Sequence, residues 1–394
     1  MTKVQTATTY LRTHLWELVI GVGLALSPIH NVWLTTLVTK EGEVGFFLPA
    51  FGTAIWLIGS LFFVVDNWKR LDWGDRRVYI PLLVIVGAIA LSGLTADSFG
   101  GIVSPLLTGL SLFALYLTAR MLGKEIFFPL AIGVAIASLG IIIHSGLNHE
   151  PTGGYVFENN FDIATGYILL GMSLFFHRWR WILAGLSVVA LLFSGAPEAV
   201  FVMGVLGVVV LIRRDWSRRA AVIGGVVAVI MVVGLVSGKG YDLYWYVADT
   251  LRGAPVANYM SPEGVTEKVS PLVMRWKVIG DAISDIKPLG DGYNLTAYTV
   301  HTVHQVPIVI VQQLGWPGVV ASLAWLWVVV WCLVKTRWKY AFTLILALSV
   351  FDHYVWSQLA PLFPALIGAS TAANNIETDL IFRNPKPVAG GYSQ

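Results

Sequence analysis

The sequence predicts an all-α polytopic membrane protein, with about 12 transmembrane helices and one large extracytoplasmic loop that contains an amphipathic helix. Three observations lead to this fold class: 56% of the 394 residues are hydrophobic, only 12% are charged, and the mean hydropathy is +0.71. Soluble domains carry roughly 25% charged residues, about twice this value. Apolar runs of the ~20 residues needed to cross a bilayer recur along the whole chain.

Twelve apolar runs are the predicted spans. They cover approximately residues 15–38, 45–65, 78–95, 99–119, 126–144, 161–177, 180–194, 197–212, 219–237, 306–334, 340–356 and 358–376. Helices 1–9 therefore occupy residues 1–237, helices 10–12 occupy 305–376, and a cytoplasmic tail covers 377–394. Because the first run is too long for a signal peptide and lacks a small-residue cleavage pattern, we expect the mature protein to start near Met1.

Basic residues in the short loops predict the orientation, since Lys and Arg collect on the cytoplasmic side of a membrane. With both termini in the cytoplasm, 19 of the 26 Lys and Arg residues lie inside. Of the seven outside, six fall in the loop 238–304, where the rule applies poorly. We expect a multi-pass protein of the cytoplasmic (inner) membrane whose active site is extracytoplasmic.

Composition argues against several classes of function. A net charge of only +3 argues against nucleic-acid binding, which normally requires a strongly basic surface. The single cysteine, Cys332, rules out an internal disulfide and a multi-cysteine metal site. The span interiors carry almost no ionisable residues, which argues against ion-coupled transport. No internal repeat is visible, so the usual sign of an inverted-repeat transporter is missing.

Polar and ionisable residues instead collect at the predicted outer ends of the spans. They are His30, Asp97, His144, His149, Glu150, Glu158, Asn160, Asp162, Glu198, Asp352 and His353. Asp352 and His353 are either interfacial anchors beside aromatic residues, or an imidazole oriented by a carboxylate. His144, His149 and Glu150 are either polar loop groups or ligands. This distribution predicts that the chemistry takes place on the non-cytoplasmic side of the membrane.

The outer loop 238–304 contains a predicted helix over residues 271–287. Ser270 and Pro271 suit the N-cap and first helical positions, while Pro288 and Gly290 end the helix. One apolar stripe follows the helical spacing, formed by Leu272, Trp276, Ile279, Ile283 and Ile286.

Arg275 is the one charge of this helix that leans toward the stripe. Its position lies about 60° from the centre of the stripe, whereas Lys277, Asp281 and Asp285 lie near the opposite side. Arg275 is therefore either an arginine whose stem packs on apolar neighbours, or an anion clamp whose guanidinium binds phosphate bidentately.

His301 and His304 precede the tenth predicted span. Pro307 suits the first turn of a helix, so His304 is expected at the helix mouth, at the membrane surface. Gly315-Trp316-Pro317-Gly318 predicts a break that leaves a short segment, 307–315, before the true span. The His301/His304 pair is a weak metal signal, since no carboxylate completes the set. General base catalysis or phosphate contact by His304 is the preferred interpretation.

Several of these segments together resemble the core motif of the O-antigen ligase and polymerase superfamily. The segments are Arg275-Trp276, Ile286-Lys287-Pro288-Leu289-Gly290-Asp291-Gly292, His304, and Gln313-Leu314-Gly315-Trp316-Pro317-Gly318. Family members read approximately as arginine, a short helix, P-L-G-x-G, a gap, H-N and E-x-G-x-x-G. A further family segment, G-x-F-x-x-N, is echoed by Gly154 to Asn160.

The resemblance implies a metal-independent glycosyltransferase of the GT-C type that uses no cofactor. Such enzymes take a glycan from an undecaprenyl-diphosphate carrier, a lipid-linked oligosaccharide donor, and transfer it to a hydroxyl of lipid A-core, another glycan or a protein. By position, His304 would be the general base and Arg275 would bind the donor diphosphate. The candidate substrate-binding residues are Arg252, His301, Asn160, Glu158, Asp352 and His353.

The chain departs from the family pattern at several positions. The family segment S-R-G reads Ser194-Gly195-Ala196 here, without its arginine, and the arginine often found ahead of G-x-F-x-x-N is also missing. Gln305 and Gln313 replace the family Asn and Glu. If the diphosphate needs a second cation, Arg252 is the best candidate, and the poorer substitutes are Lys239, Lys268, Lys277 and Lys287.

Other functions stay open at this point. A lipid or glycan flippase, or another polytopic transporter, is the alternative that the span count alone suggests. Within the transferase class, the sequence does not separate ligase, polymerase and protein O-oligosaccharyltransferase. Only the loop surfaces could make that distinction.

Overall fold

A computed structural model of the chain describes residues 14–29, 33–39, 42–95, 99–148, 154–157, 161–174, 180–194, 257–260, 266–269, 271–293, 305–351, 354–357 and 359–372. This part is mostly helical. Its α-helices are α1 (Leu15–Leu26), α2 (Leu48–Asp66), α3 (Arg76–Ser92), α4 (Phe99–Leu122), α5 (Phe128–Asn148), α6 (Gly154–Phe157), α7 (Phe161–Ser173), α8 (Arg180–Ser194), α9 (Pro271–Ser284), α10 (Val306–Lys335), α11 (Lys339–Phe351) and α12 (Leu362–Thr371). Two antiparallel hairpins accompany them, β1 (Trp33–Thr39) with β2 (Gly42–Phe47) and β3 (Ala257–Met260) with β4 (Thr266–Val269).

Among the described residues, three helical stretches are long and apolar enough to cross a membrane. They are Arg76–Thr95, Gly101–Asn148 and Val306–Lys335. The second consists of α4 and α5, which a short 3-10 turn (Gly123–Phe127) joins. The shorter apolar helices are Leu15–Leu26, Phe51–Asp66, Ile163–Ser173, Ile182–Ser194, Lys339–Val350 and Leu362–Thr371. The predicted spans 197–212 and 219–237 and the tail 377–394 lie outside the described residues.

The first predicted span, 15–38, is wrong in its second half. The helix ends at Leu26, and residues 33–39 pair with residues 42–47 instead. Pro28 has no backbone N–H and cannot continue the hydrogen-bond ladder of a helix. The β-branched Thr35, Thr36 and Val38 then favour a strand. An apolar run does not distinguish a strand from a helix, so length alone misled the prediction.

The helices pack around a common core, and α10 is the helix that carries the site described below. It packs along α3, and it also contacts α9, α11 and α12. α4 packs against both α3 and α12. Trp325 of α10 stacks on Phe363 of α12, with ring centroids 5.5 Å apart. The N-terminal half of the fold is built by α1 with α2 and α5, and by α5 with α7 and α8.

Arg120 joins three segments at one end of the bundle. Its side chain is only 10% exposed, and it pairs with Asp72 at 2.7 Å and donates a hydrogen bond to the Thr371 carbonyl at the end of α12. Tyr116, one turn earlier, donates to the Trp73 carbonyl at 2.9 Å. Charge distribution assigns all three segments to the cytoplasmic side, and the structure brings them together. The side of the membrane itself stays a prediction.

The environment of Asp72 keeps it negatively charged as the partner of Arg120. Partial burial raises the pKa of its carboxyl. The hydrogen bond and charge of Arg120 and the hydrogen bond from the Gly74 N–H together lower this pKa by more than burial raises it. The net effect holds the pKa of Asp72 below its usual value, so the carboxylate stays ionised opposite Arg120. A buried arginine needs such a partner, because an unpaired charge inside a protein is strongly destabilising.

Candidate functional site

The predicted outer-loop helix is present as α9, but it is shorter than the predicted range 271–287. It begins at Pro271 and ends at Ser284, and Asp285 makes one further helical bond to the Asp281 carbonyl at 3.1 Å. Pro288 contributes to this early end, because it disfavours the helical conformation at Lys287 and cannot donate to the Ser284 carbonyl four residues earlier. Residues 285–293 are thereby released to make a turn.

The core-facing side of α9 differs from the predicted apolar stripe, of which Ile279 alone among the described side chains packs on the core. Val278 is buried, at 6% exposure, and Met274, Ile279 and Ala282 pack against the core beside it. Trp276 and Ile283 belong to the predicted stripe but are 66% and 55% exposed. In a membrane protein an apolar side chain can face lipid as well as protein, so the most apolar side of a helix need not be its core-facing side.

Arg275 has a backbone position near the core-facing side of α9. At about 100° per residue, it lies about 60° from Val278. α9 itself contacts α10, the helix that begins directly after the predicted base His304. Asp281 lies about 60° from Val278 on the other side, so helix position does not separate Arg275 from the other charges, and the expected orientation of its side chain stays a prediction.

Two of the lysines considered as a second cation are already paired. Lys277 pairs with Glu267 of β4, and Lys287 pairs with Asp291 at 2.6 Å. The hydrogen bond and charge of Asp291 raise the pKa of Lys287. Lys287 therefore stays cationic, and in both pairs the carboxylate partner reduces the charge that the lysine can offer to a diphosphate. Lys268 lies exposed on β4, while Lys239 and Arg252 lie outside the described residues.

α10 breaks at Gly315, which confirms the prediction made from Gly315-Trp316-Pro317-Gly318. Gly315 has φ 65° and ψ −141°, a conformation open in practice only to glycine. The helix has Gln305 as its N-cap and Pro307 in its first turn. A short first segment, residues 306–314, therefore precedes the longer segment that ends at Lys335.

The break leaves two carbonyl groups without their helical donors. Pro317 has no N–H, so the Gln313 carbonyl four residues earlier loses its partner. The N–H of Trp316 would normally donate to the Gln312 carbonyl, but it donates to Pro288 instead, at 3.0 Å. Unpaired carbonyl groups at membrane depth are costly and must be satisfied within the protein.

The turn after α9 satisfies both carbonyls. Its Asp291 N–H donates to the Gln312 carbonyl at 3.1 Å, and its Gly292 N–H donates to the Gln313 carbonyl at 3.0 Å. Together with the Trp316–Pro288 bond, these contacts dock residues 287–292 into the break of α10. We call this arrangement the loop–helix junction. It joins two segments that are about 20 residues apart in sequence, Pro288–Gly292 and Gln312–Gly318.

Two glycines make the loop–helix junction possible. Gly290 has φ 75°, and a Cβ atom there would lie 2.2 Å from the Gln313 carbonyl oxygen. A Cβ atom on Gly315 would lie 2.4 Å from both the Gly290 nitrogen and the Lys287 oxygen. The two backbones approach so closely that neither position accommodates a side chain.

Buried aromatic residues support the junction from its other side. The Gln313 side chain is 3% exposed, and its Oε1 accepts a hydrogen bond from Trp356 Nε1 at 2.8 Å. Tyr293, just after the docked turn, meets Trp356 edge to face, with centroids 5.9 Å apart. Burial raises the pKa of the Tyr293 phenol, so it stays protonated. Trp356 thereby connects the segment that follows α11 to the break in α10.

An apolar cavity lies beside Tyr293 and Trp356, between α3, α4 and the segment 355–364. Its lining includes Leu82, Ile85, Ile89, Phe113, Trp356 and Phe363. Nearly all of the lining surface is apolar. Such a lining offers almost nothing to a charged group.

Two amide oxygens near the start of α10 are buried without a hydrogen-bond partner among the residues that the structure describes. They are Oε1 of Gln305 and Oε1 of Gln312. Leaving such a buried acceptor unsatisfied costs about 1–3 kcal/mol. The two residues are seven apart, which is about two helical turns, so they share one face of the first segment.

Of the residues predicted from sequence for the site, Arg275 has its backbone in the described part of the chain. The others lie outside the described residues: His304, His301, Arg252, Asn160, Glu158, Asp352 and His353. His144, singled out with them, lies on α5, where its Nε2 accepts a hydrogen bond from Asn148 at 3.2 Å and its ring meets Tyr155 edge to face.

Sequence reasoning missed Trp356 and Tyr293. Each is one of many aromatic residues in the chain, and interfacial tryptophans normally need no further explanation. One signal was available for the break, since Pro317 necessarily leaves the Gln313 carbonyl without a helical donor. Nothing in the pattern indicates which segment supplies the replacement.

Replacing Trp356 with phenylalanine is expected to lower the stability of the purified protein by about 1–3 kcal/mol, because Gln313 Oε1 stays buried and loses its donor. Thermal unfolding in detergent measures this change. Trp316→Phe is the matched control, since Trp316 is 63% exposed and the substitution should change stability by less than about 0.5 kcal/mol. Equal melting temperatures for Trp356→Phe and the wild type would contradict the assigned role of Trp356.

Comparison with known proteins adds no family assignment. No protein-family model matches the chain, and no curated protein matches it either.

Proposed function

We propose that the chain is a glycosyltransferase similar to O-antigen ligase. It would move a glycan from an undecaprenyl-diphosphate carrier to an acceptor hydroxyl at the outer face of the cytoplasmic membrane, without a metal ion. The loop–helix junction carries the proposal. The two glycine-containing segments on which the family resemblance depends contact each other through three backbone hydrogen bonds.

The junction supports the proposal because of what lies on each side of it. The docked turn follows α9, the helix that carries Arg275, and the broken helix follows His304 directly in sequence. Two segments that are anchored to each other restrict the separation of the groups that they carry. A rigidly held constellation is what a transferase needs, since the alignment of reacting groups supplies much of the rate.

The chemistry assigns a role to each group. The glycosidic bond to the diphosphate breaks while a bond to the acceptor oxygen forms, and His304 accepts the proton of the acceptor hydroxyl. Negative charge develops on the leaving diphosphate, and Arg275 stabilises it by bidentate hydrogen bonds. The acceptor would be lipid A-core, another glycan or a protein, which gives ligase, polymerase and protein O-oligosaccharyltransferase as members of one class.

Glycan transfer by the purified protein tests the proposal. We expect transfer from an undecaprenyl-diphosphate-linked oligosaccharide to at least one of three acceptors, lipid A-core, a free glycan or a protein. The transfer should persist in excess EDTA, since arginine rather than a metal ion balances the diphosphate charge. Loss of transfer on chelation would contradict the metal-free mechanism.

Transport assays test the competing class. If the chain is a flippase or another transporter, proteoliposomes will translocate the lipid-linked glycan, and Arg275→Ala and His304→Ala will leave translocation unchanged. That result, together with no transfer to any of the three acceptors, would replace the transferase proposal.

A further inference from the structure

The first turn of α3 is set back from the end of its neighbour α10. α3 begins at Arg76, and the backbone carbonyl of Arg77 accepts a hydrogen bond from Trp327 Nε1 at 2.9 Å. From Trp327 onward, α10 continues for eight residues, about 12 Å, to Lys335. The two arginines that open α3 therefore lie about two helical turns short of the end of α10.

A second set of contacts shows the same offset against α4. Trp73 packs on Tyr79 in the first turn of α3 and on Phe113 of α4, with ring centroids 5.9 Å and 5.7 Å apart. From Phe113, α4 continues for another nine residues, about 14 Å, to Leu122. Since two neighbouring helices give similar offsets, the start of α3 is recessed at this end of the bundle. We term this place the α3 recess.

The α3 recess is remote from the loop–helix junction. It lies at the end of the bundle where Arg120 joins Asp72 to the end of α12, the end that the basic residues of the short loops assign to the cytoplasmic side. Trp327 is twelve residues, about 18 Å, along α10 from Gly315. A ligand in the recess would therefore be separate from the proposed transfer site.

Arg76 and Arg77 are exposed and form no ion pair with any carboxylate that the structure describes. The acidic residues next to them in sequence are engaged elsewhere, since Asp72 pairs with Arg120 and Asp75 accepts a hydrogen bond from the Arg77 N–H at 2.8 Å. Helix stability does not account for the arginine pair, because the positive end of the helix dipole disfavours cations in a first turn. Two guanidinium groups are therefore available to an anion.

Exposed apolar side chains flank the α3 recess on both helices. Ile80 and Val84 of α3 follow the arginine pair by one and two turns, and both are exposed. On α10, Val330 and Val334 follow Trp327 at the same spacing and are also exposed. The apolar surface of α10 thus continues past the level of the arginines toward the end of the helix. This combination fits a molecule that has both an anionic group and hydrocarbon chains.

A phosphate group is the anion that matches the arginine pair. The planar guanidinium group donates two parallel N–H bonds to phosphate oxygens, and such charge-assisted bonds are about twice as strong as neutral ones. A soluble phosphate would satisfy the arginines but would gain nothing from Val330 and Val334. A phospholipid uses both features, because its phosphate carries the charge and its acyl chains cover apolar surface.

We propose that the α3 recess is a binding site for an anionic phospholipid of the cytoplasmic leaflet. Arg76 and Arg77 bind the headgroup phosphate, and the acyl chains lie against the exposed apolar side chains of α3 and α10. The hydrogen bond of Trp327 fixes the start of α3 against α10 and so maintains the recess. The site does not depend on whether the protein transfers glycans.

Binding of phosphatidylglycerol to the purified full chain in an uncharged detergent tests the site, with native mass spectrometry as the measurement. Arg76→Gln combined with Arg77→Gln should weaken this binding about tenfold or more, since it removes the charge-assisted hydrogen bonds to the phosphate. Phosphatidylcholine, which has no net charge, should bind the wild type more weakly, and the double variant should lose this preference. A double variant that binds phosphatidylglycerol as the wild type does would overturn the site.

Lys335→Gln combined with Arg337→Gln is the matched control. It removes two exposed positive charges at the same end of the bundle, but beyond the end of the recess. We expect it to change the affinity for phosphatidylglycerol by less than about threefold, since charges in open solvent are screened. Equal losses in the two double variants would mean that net charge alone attracts the lipid, and the proposed site would be wrong.

Arg76→Lys combined with Arg77→Lys separates lipid binding from the effect of basic residues on membrane insertion. Lysine keeps the positive charge that sets the orientation but lacks the bidentate fork. We therefore expect a correctly inserted protein whose affinity lies between those of the wild type and the glutamine variant. Wild-type affinity in this variant would contradict phosphate binding by the two forks, and this result decides even if the glutamine variant fails to insert.

Soluble anions distinguish a lipid site from a site for free phosphate. The probes are inorganic phosphate and glycerophosphoglycerol, the headgroup of phosphatidylglycerol without its acyl chains. Neither should displace the lipid even at about hundredfold excess, because they cannot cover the apolar surface beside the arginines. Displacement by either probe at a concentration equal to that of the lipid would assign the recess to a soluble anion and overturn the proposal.

Discussion

Gly315→Ala should abolish the native packing of the first segment of α10. The backbone at residue 315 has φ 65° and ψ −141°, where a side chain costs about 1–3 kcal/mol in strain alone. The added Cβ would also lie 2.4–2.5 Å from the Gly290 nitrogen and the carbonyl oxygens of Lys287 and Pro288. These are backbone atoms that cannot rotate away, so we expect a total loss of more than about 4 kcal/mol.

Gly290→Ala should have the same effect from the other side of the junction. Residue 290 has φ 75°, and its Cβ would meet the Gln313 carbonyl at 2.2 Å. Relief of either clash requires the docked turn to leave the break, which exposes the carbonyls of Gln312 and Gln313. Thermal unfolding in detergent and the yield of monodisperse protein measure the loss.

Gly280→Ala is the matched control for both substitutions. Gly280 lies exposed on α9, and a Cβ there meets no atom within 4 Å. Alanine in a helix interior is favoured over glycine by about 0.5–1 kcal/mol, so this variant should be at least as stable as the wild type. A Gly315→Ala protein with the melting temperature of the wild type would disprove the loop–helix junction.

His304→Ala is expected to reduce the rate of glycan transfer about 10²- to 10⁴-fold, the usual contribution of a general base. The loss should fall on kcat, because the proposed base acts on the acceptor hydroxyl during transfer and does not contribute to substrate affinity. Single-turnover transfer from the lipid-linked donor measures this rate. A His304→Ala enzyme with wild-type kcat would remove the proposed base from the mechanism.

Arg275 offers a graded test of the same site. Arg275→Ala should lower kcat/KM strongly, and Arg275→Lys should restore only part of it, since a lysine is a point charge and lacks the bidentate fork. Lys277→Ala is the control cation on the same helix, two residues away and paired with Glu267. It removes an exposed ion pair worth at most about 1 kcal/mol and should leave transfer unchanged. Equal losses of transfer for Arg275→Ala and Lys277→Ala would mean that only the net charge of the helix matters, and would contradict the specific role of Arg275.

Much of the helical content could be predicted from hydropathy and local chemistry. α3, α5, α8 and α10 lie within a few residues of their predicted limits, because long apolar runs have few alternatives to a helix in a lipid environment. The break at Gly315 was also predictable, since Pro317 lacks a donor and glycine permits the required angles. The hairpin β1–β2 was not, because its β-branched residues continue an apolar run that reads equally well as a span.

The site shows the same division. The amino-acid sequence alone identified the amphipathic helix, the turn Gly290-Asp291-Gly292 and the break at Gly315 as separate features. It left open where the carbonyls freed by Pro317 find their donors, because hydrogen bonds between distant segments leave no periodic trace in a sequence. Only the tertiary structure joined the turn to the break and placed Trp356 on Gln313. Local propensity determines where a helix must end or bend, whereas the partner that satisfies the broken backbone is decided by packing.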